Sequence, residues 1–205
     1  MKLYAITRRQ LAPGVDLVRL VRSWAEAGVE MAQLREKDLP VRKVFEMARQ
    51  ILQPPVPKGF RLFVNERFDV ALGAGAHGVH LGAASPPVRL VRRQVGRRLR
   101  IAYSAHSVEE AQAAVRQGAD FVTLSPVFPT RSKPMNGPPL GIEPVREAAR
   151  RLGRTRVFAL GGIDATRAKL LRGTGLAGIA MIAEFMRSDD PRRTANALRS
   201  ALGGE

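Results

Sequence analysis

The sequence predicts an α/β fold: a single closed (β/α)8 TIM barrel spanning residues 1–205. Two observations predict it. Eight short, apolar, β-rich runs alternate with eight amphipathic stretches of helical period, without a break. Four of the turns from helix to strand also share one design, in which a glycine closes the helix and an apolar run starts within a few residues. The doubly wound alternative would more often stop at about five to seven strands and carry a nucleotide fingerprint.

Taken in order, the expected strands are Leu3–Thr7, Val29–Leu34, Phe60–Val64, Gly78–Leu81, Ile101–Tyr103, Phe121–Leu124, Val157–Leu160 and Gly178–Ile182. The helical stretches fall near residues 15–27, 41–52, 67–75, 87–96, 107–117, 142–152, 164–173 and 190–202. Strands separated by helices run parallel and are joined by right-handed crossovers. The glycine turns, at Gly28, Gly75, Gly118 and Gly175, lie on the face opposite the site and serve stability. The turns that leave the strands are longer and richer in polar residues, Gly and Pro: 35–40, 65–67, 82–87, 104–107, 125–141, 161–164 and 183–190. Function concentrates at that end of a barrel. The run from Ser125 to Gly141 is too long for a simple connector and is expected to be a lid or binding loop. Pro54-Pro55-Val56-Pro57 reads as a stiff linker into the third strand.

Composition narrows the class. The chain has no cysteine, so disulfides and thiolate metal sites are excluded. Met1 to Gln10 holds no long apolar run, and no segment approaches the roughly 20 apolar residues needed to cross a bilayer. A cytoplasmic protein with no membrane partner is expected. The formal net charge of +16 raises the question of a nucleic-acid partner. The densest basic group is Arg89, Arg92, Arg93, Arg97, Arg98 and Arg100, of which 89, 92, 93 and 97 share one helical face. No aromatic residues interleave with them, as a single-strand stacking platform requires, so a solvated outer face is expected and no nucleic acid. The positive field would also favour a phosphorylated substrate. Barrels of this size often pair, so a homodimer is the expected assembly.

Several polar groups sit where the chemistry of a barrel is placed. Gln33, Arg35 and Lys37 alternate at the end of the second strand, so an amide and two cations would converge on the mouth, and Arg with Lys suits a pyrophosphate. Asn65 and Glu66 end the third strand and could offer an amide and a carboxylate to Mg2+; the alternative is a helix N-cap at Asn65. Ser104, Ala105, His106 and Ser107 follow the fifth strand. Ser107 with Glu110 fits a capping box, and His106 could transfer a proton. Thr130, Arg131, Ser132 and Lys133 bring hydroxyls and cations to the long loop. Gly161 and Gly162 after the seventh strand, and the turn at Ala183 after the eighth, are placed to bind a phosphate through backbone N–H groups.

These motifs, in order along nearly the whole chain, resemble the thiamine phosphate synthase and TenI family: Gln33–Lys37, Asn65–Ala71, Gly78–Gly82, Ser104–Ser107, Ser125–Lys133, Pro138–Gly141 and Leu160–Ile163. The resemblance implies one of two chemistries. The synthase joins hydroxymethylpyrimidine pyrophosphate to thiazole phosphate with Mg2+, through a pyrimidine cation formed as pyrophosphate departs. Gln33 and Ser104 would then touch the pyrimidine, and Arg35, Lys37, Asn65 and Lys133 the pyrophosphate. Thr130 and Ser132 would line the loop side, and Gly162 would meet the thiazole phosphate. TenI-type members instead isomerise a thiazole carboxylate phosphate without metal, with a histidine matching His106 moving the proton. A catalytically silent binder of the same phosphates is a third reading. The sequence departs from the synthase pattern at Glu66, where aspartate is usual, at Ser85, where the second Mg2+ carboxylate is lost, and at Ala183, where a serine is usual. Synthase is placed first and tautomerase second.

Overall fold

Strand pairing runs in chain order all the way round, each strand parallel to its neighbours and the first hydrogen-bonded to the eighth, so the sheet closes into a barrel. This is the computed structural model of the chain, and it describes residues 1–130, 137–153 and 156–203. The strands are β1 (Lys2–Ile6), β2 (Met31–Leu34), β3 (Arg61–Asn65), β4 (Gly78–Leu81), β5 (Arg100–Ala105), β6 (Phe121–Leu124), β7 (Val157–Leu160) and β8 (Gly178–Met181). The helices are α1 (Leu17–Glu26), α2 (Val41–Ile51), α3 (Phe68–Gly73), α4 (Val88–Val95), α5 (Val108–Arg116), α6 (Ile142–Leu152), α7 (Ala165–Ala168), α8 (Ala183–Met186) and α9 (Pro191–Ala201).

Three boundaries differ from the expectation in ways that matter. The strand β5 runs on through Ser104 and Ala105, so Ser104 is a barrel residue rather than a loop residue. Residues 164–173 form one short α-helical turn followed by a 3-10 turn at Lys169–Leu171. Ala183 opens a four-residue helix rather than a loop. None of the described helices is long and apolar enough to cross a membrane.

The outer faces of the strands pack against the helices through aliphatic side chains, among them Leu3, Leu34, Leu62, Val79, Ile101 and Ile179. The interior is filled differently. Tyr4, Phe63, Phe121 and Phe158 meet at ring-centroid distances of 5.1–6.0 Å and form an aromatic plug. Two strand-opening glycines make room for it. A Cβ on Gly78 would lie 2.3 Å from Phe63 Cε1, and one on Gly178 would lie 2.6 Å from Phe158 Cε1. A side chain is absent there because a ring and the neighbouring strand's carbonyl, Arg100 O at Gly78 and Lys2 O at Gly178, occupy its space.

At the end where strands begin, arginines are bound to main-chain carbonyls. Arg92 Nε and Nη2 donate to Gly118 O at 3.1 and 2.8 Å, Nη1 donates to Leu99 O at 3.0 Å, and the same guanidinium pairs with Asp120. Arg22 donates to Gln53 O and Pro55 O, Arg172 to Ala201 O and Ser200 O, and Arg199 to Gly28 O. These carbonyls belong to helix C-termini and the turns after them, which lack intrahelical donors and carry the negative end of the helix dipole. The expected solvated face at 89–97 is thereby corrected at Arg92, whose guanidinium is folded under the barrel. The linker at Pro54–Pro57 is likewise held in place by Arg22.

Candidate active site

The strand C-termini carry a polar layer directly above the aromatic plug. Gln33 and His80 are 2% exposed, and Tyr4 and Thr123 are fully buried. His80 Nδ1 lies 2.6 Å from Gln33 Nε2 and 2.9 Å from the Tyr4 hydroxyl, both of which have hydrogen to give. The other ring nitrogen, Nε2, faces Ser104 Oγ at 3.2 Å and Thr123 Oγ1 at 3.4 Å. Gln33 also donates to Tyr4 Oη at 3.3 Å. Burial pushes the Tyr4 hydroxyl far above its ordinary value, so it stays protonated.

The mouth above this layer is cationic. Arg35 is half-buried, its N–H donates to Thr7 Oγ1 at 2.8 Å, and its guanidinium makes no hydrogen bond to a described residue. Burial lowers its pKa, and the like charge of Arg8 lowers it further, against Glu66 and Glu36, which raise it. Two guanidiniums thus share one region at the ends of β1 and β2. Such crowding suits a polyanion between them. Glu36 is buried and accepts from the backbone N–H of Arg9 at 3.2 Å through each carboxylate oxygen, which fixes the turn after β1.

Because β2 ends at Leu34, Gln33, Arg35 and Lys37 sit at different levels rather than along one strand. Gln33 lies down in the barrel, Arg35 at the mouth, and Lys37 in an exposed turn where Nζ meets Glu66 Oε1 at 2.8 Å. Glu66 holds a left-handed backbone at φ 60°, the one described non-glycine residue there. That conformation aims the carboxylate back toward Lys37, and it is uncommon for a residue with a Cβ. Asn65 does not cap a helix: the cap position before α3 is Arg67, with no side-chain bond. Ser85 Oγ accepts from Gly82 N at 2.9 Å and so secures its own turn.

His106 follows β5. Its Nδ1 donates to Ser125 O at 2.8 Å, because a carbonyl accepts only, and Nε2 is left bare. Glu110 supports this loop from below, accepting from His106 N at 2.7 Å and from the Tyr103 hydroxyl at 2.9 Å. Burial, with Glu110 second, pushes the Tyr103 hydroxyl up to about 12. Ser107 caps α5 by accepting from Glu110 N at 3.1 Å, so one half of the expected capping box is present.

The long loop is tied at both described ends. Val127 N and Phe128 N donate to Leu160 O and Gly161 O, and Leu140 N and Gly141 N donate to Pro126 O and Val127 O. Thr130 is described, while Arg131, Ser132 and Lys133 lie outside the described residues. Gly161 and Gly162 have φ of 102° and 64°, and a Cβ on Gly162 would lie 2.4 Å from Pro129 O. The loop therefore rests directly on this turn. Next to it, Asp164 caps α7 by accepting from Arg167 N, and Glu184 stands in the first turn of α8. Burial and then Asp164 raise the pKa of Glu184, against Arg187.

Tyr4, His80, Thr123, Arg8 and Glu184 were not expected as site residues. A polar side chain at an inward position of an otherwise apolar strand was the available signal for the first three. For Arg8 it was position, since it follows β1 as Arg35 follows β2.

The sequence profile described as thiamine monophosphate synthase matches residues 3–185. A thiamine-phosphate synthase of Roseiflexus sp. (strain RS-1) is 36% identical over 199 residues, covering 97% of this chain and 84% of that one. A Geobacter sulfurreducens protein, provisionally given the same name, is 42% identical over 200 residues, 98% of this chain and 93% of its own. Among solved structures, the thiamine phosphate pyrophosphorylase of Pyrococcus furiosus superposes with a TM-score of 0.85 at 33% identity, covering 98% of this chain and 95% of that one.

Proposed function

Since the chain belongs to the thiamine monophosphate synthase family, we propose, as its reaction, the joining of hydroxymethylpyrimidine pyrophosphate to thiazole phosphate. The protein is a transferase of thiamine biosynthesis. The bond between the pyrimidine methylene and the pyrophosphate oxygen breaks, the thiazole nitrogen bonds to that methylene, and pyrophosphate leaves. The observation that carries this reading is the Arg8–Arg35 pair at the mouth, directly above a buried amide and hydroxyl.

Each level of the site has a task in that reaction. Gln33 and Ser104 hold the pyrimidine against the floor. Arg35 and Lys37, with Asn65 and Lys133, take the pyrophosphate, and fixed positive charge there stabilises the negative charge that develops as it departs. Arg8 joins them. Thr130 and Ser132 line the loop side. Gly161, Gly162 and the start of α8 at Ala183 receive the thiazole phosphate.

The residues fit Mg2+ only in part. Among the described residues no three carboxylate, histidine or cysteine groups cluster, Glu66 offers one carboxylate with Asn65 beside it, and Ser85 is engaged in its turn. Glu66 and Asn65 would hold the ion, with pyrophosphate oxygens and water completing its shell. When bound it would add positive charge on the leaving group.

The test supplies purified protein with both substrates and Mg2+, and expects thiamine phosphate and pyrophosphate in equal amounts. Chelation of the metal with EDTA should slow the reaction. A parallel sample receives the thiazole carboxylate phosphate tautomer without metal. The bare Nε2 of His106 is the observation on the side of isomerisation, and product in that sample alone would replace the synthase reading. No product in either would favour a binding role.

A further inference from the structure

The four odd-numbered strands each enter the barrel on a cation. Lys2 opens β1, Arg61 opens β3, Arg100 opens β5, and Arg156 stands immediately before β7. Each lies two residues before a side chain of the barrel interior, namely Tyr4, Phe63, Ala102 and Phe158. Strand period therefore turns all four toward the barrel axis, as one layer contributed by alternate strands. Arg156 keeps to the ladder, since its carbonyl accepts from Val122 N at 2.8 Å. Beside this layer β4 and β8 bring only glycine, Gly78 opposite Arg100 and Gly178 opposite Lys2. All four cations are exposed, and none has an ion pair with a described residue; Arg61 donates to Phe60 O at 2.9 Å. The carboxylates nearby are taken. Glu30 accepts from Leu3 N at 3.0 Å and pairs with Arg199, and Asp120 accepts from Ile101 N at 2.7 Å and pairs with Arg92. His77 holds the matching place before β4, its Nδ1 accepting from Leu62 N at 3.2 Å. In the neutral ring the hydrogen is then on Nε2, which makes no hydrogen bond to a described residue. After burial, Arg61 and then Arg100 lower the pKa of His77, so two of the four cations stand near it.

We propose that Lys2, Arg61, Arg100 and Arg156, with His77 beside them, form a second anion site at the end of the barrel where strands begin, and that it takes a polyphosphate chain. Four cations around one mouth match the several charges of such a chain, whereas a single phosphate carries about two. Its oxygens only accept, and the ring offers only donors, charged or, at His77 Nε2–H, neutral. A nucleic-acid backbone would need its cations along a strip rather than round a mouth. The same chemistry is presented by a free inorganic chain and by the tail of a nucleoside triphosphate. The aromatic plug closes the barrel above the ring, so the anion lies apart from the substrates, and the site stands or falls independently of the synthase reading.

Nuclear magnetic resonance of the histidine rings tests it on the full chain, which has three, with His77→Asn assigning the His77 signal. Inorganic tripolyphosphate and adenosine triphosphate are titrated separately, with sulfate at matched ionic strength as the control. The bound chain should raise the pKa of His77 by about one pH unit, because an anion beside an imidazole favours its charged form. Arg35→Ala, which alters the upper mouth, should leave that response unchanged. The double variant Arg100→Gln/Arg156→Gln should weaken binding about 100-fold, read from the concentration dependence of the His77 signal. Neither of those side chains bonds to a described residue, so the melting temperature and thiamine phosphate formation should hold. Response to adenosine triphosphate alone, or at equal or lower concentration, assigns the site to nucleotides; response to the inorganic chain at lower concentration assigns it to free chains. A His77 signal that neither moves, or that sulfate moves as far, overturns the proposal. So do a response confined to His106 at the upper end, an affinity undiminished in the double variant, and displacement by duplex DNA at equal phosphate concentration.

Discussion

The two ends of the barrel use the same residue type for opposite ends. Below, where strands begin, Arg22, Arg92, Arg172 and Arg199 are spent on main-chain carbonyls. Above, the Arg35 guanidinium has no hydrogen bond to a described residue and is crowded by Arg8. The lower arginines lower the energy of the fold, because each meets acceptors the helices leave open. The upper pair brings like charges close, and in the proposed reaction pyrophosphate would lie between them. Charge on the helix ends below is structure, and charge above, on that reading, serves substrate. These four lower arginines, of the chain's 34 basic residues, thus have a task without a polyanionic partner.

The sharpest way to break this contrast is to remove one arginine from each end. Arg35→Ala should cost about 100- to 1,000-fold in kcat/KM while leaving the melting temperature unchanged or slightly higher. A matching loss of stability would place Arg35 with the lower set. Arg92→Ala should do the opposite, lowering stability in urea by about 2 kcal/mol, with kcat of the folded enzyme unchanged. Loss of turnover without loss of stability would erase the distinction.

Smaller effects refine it. Glu184 is an acid beside the turn proposed for phosphate, its pKa raised by burial and then by Asp164, against Arg187. Glu184→Gln should lower KM for thiazole phosphate severalfold, most at high pH, where the native carboxylate is charged and repels the ligand. An unchanged KM would remove Glu184 from that pocket. Smallest is a pH effect at the lower end. His77 Nδ1 accepts from Leu62 N at 3.2 Å, and burial, then Arg61 and Arg100, hold its pKa below the usual 6.5. The folded chain therefore resists a proton that the unfolded chain accepts. Its stabilisation is full above pH 6.5 and is lost as the pH falls toward the depressed value. Melting curves should show this slope flattened in His77→Asn, and a slope identical to wild type would assign the effect elsewhere.

The barrel itself was legible in the sequence because it is written locally. Period, strand length and the glycine turns at Gly28, Gly75, Gly118 and Gly175 each lie within a few residues, and all four have φ of 72–108°. Gln33, Arg35, Lys37 and Ser104 were legible as residues of the strand C-terminal end, but not their levels. Depth in a barrel depends on where a strand stops, and a single residue decides it: β2 ending at Leu34 puts Gln33 on the floor and Lys37 in solvent. The arginine clamps were hidden for a different reason. Arg92 and Gly118 are 26 residues apart, and Arg199 and Gly28 are 171 apart. Such pairs carry no local signal, so a helix face that reads as solvated can be turned under the molecule.

That longest pair has a consequence for how the protein is made. A nascent chain leaves the ribosome first residue first, and β1 must wait for β8 to be synthesised before it has both neighbours. Until then its outer edge is open, an exposed template for any passing strand. Arg199, made later still, then fastens α9 onto Gly28 and Glu30 beside the first unit. The seam of the barrel is therefore closed last and riveted from outside. The hazardous interval in this protein's life falls during translation, between the completion of β1 and the arrival of α9.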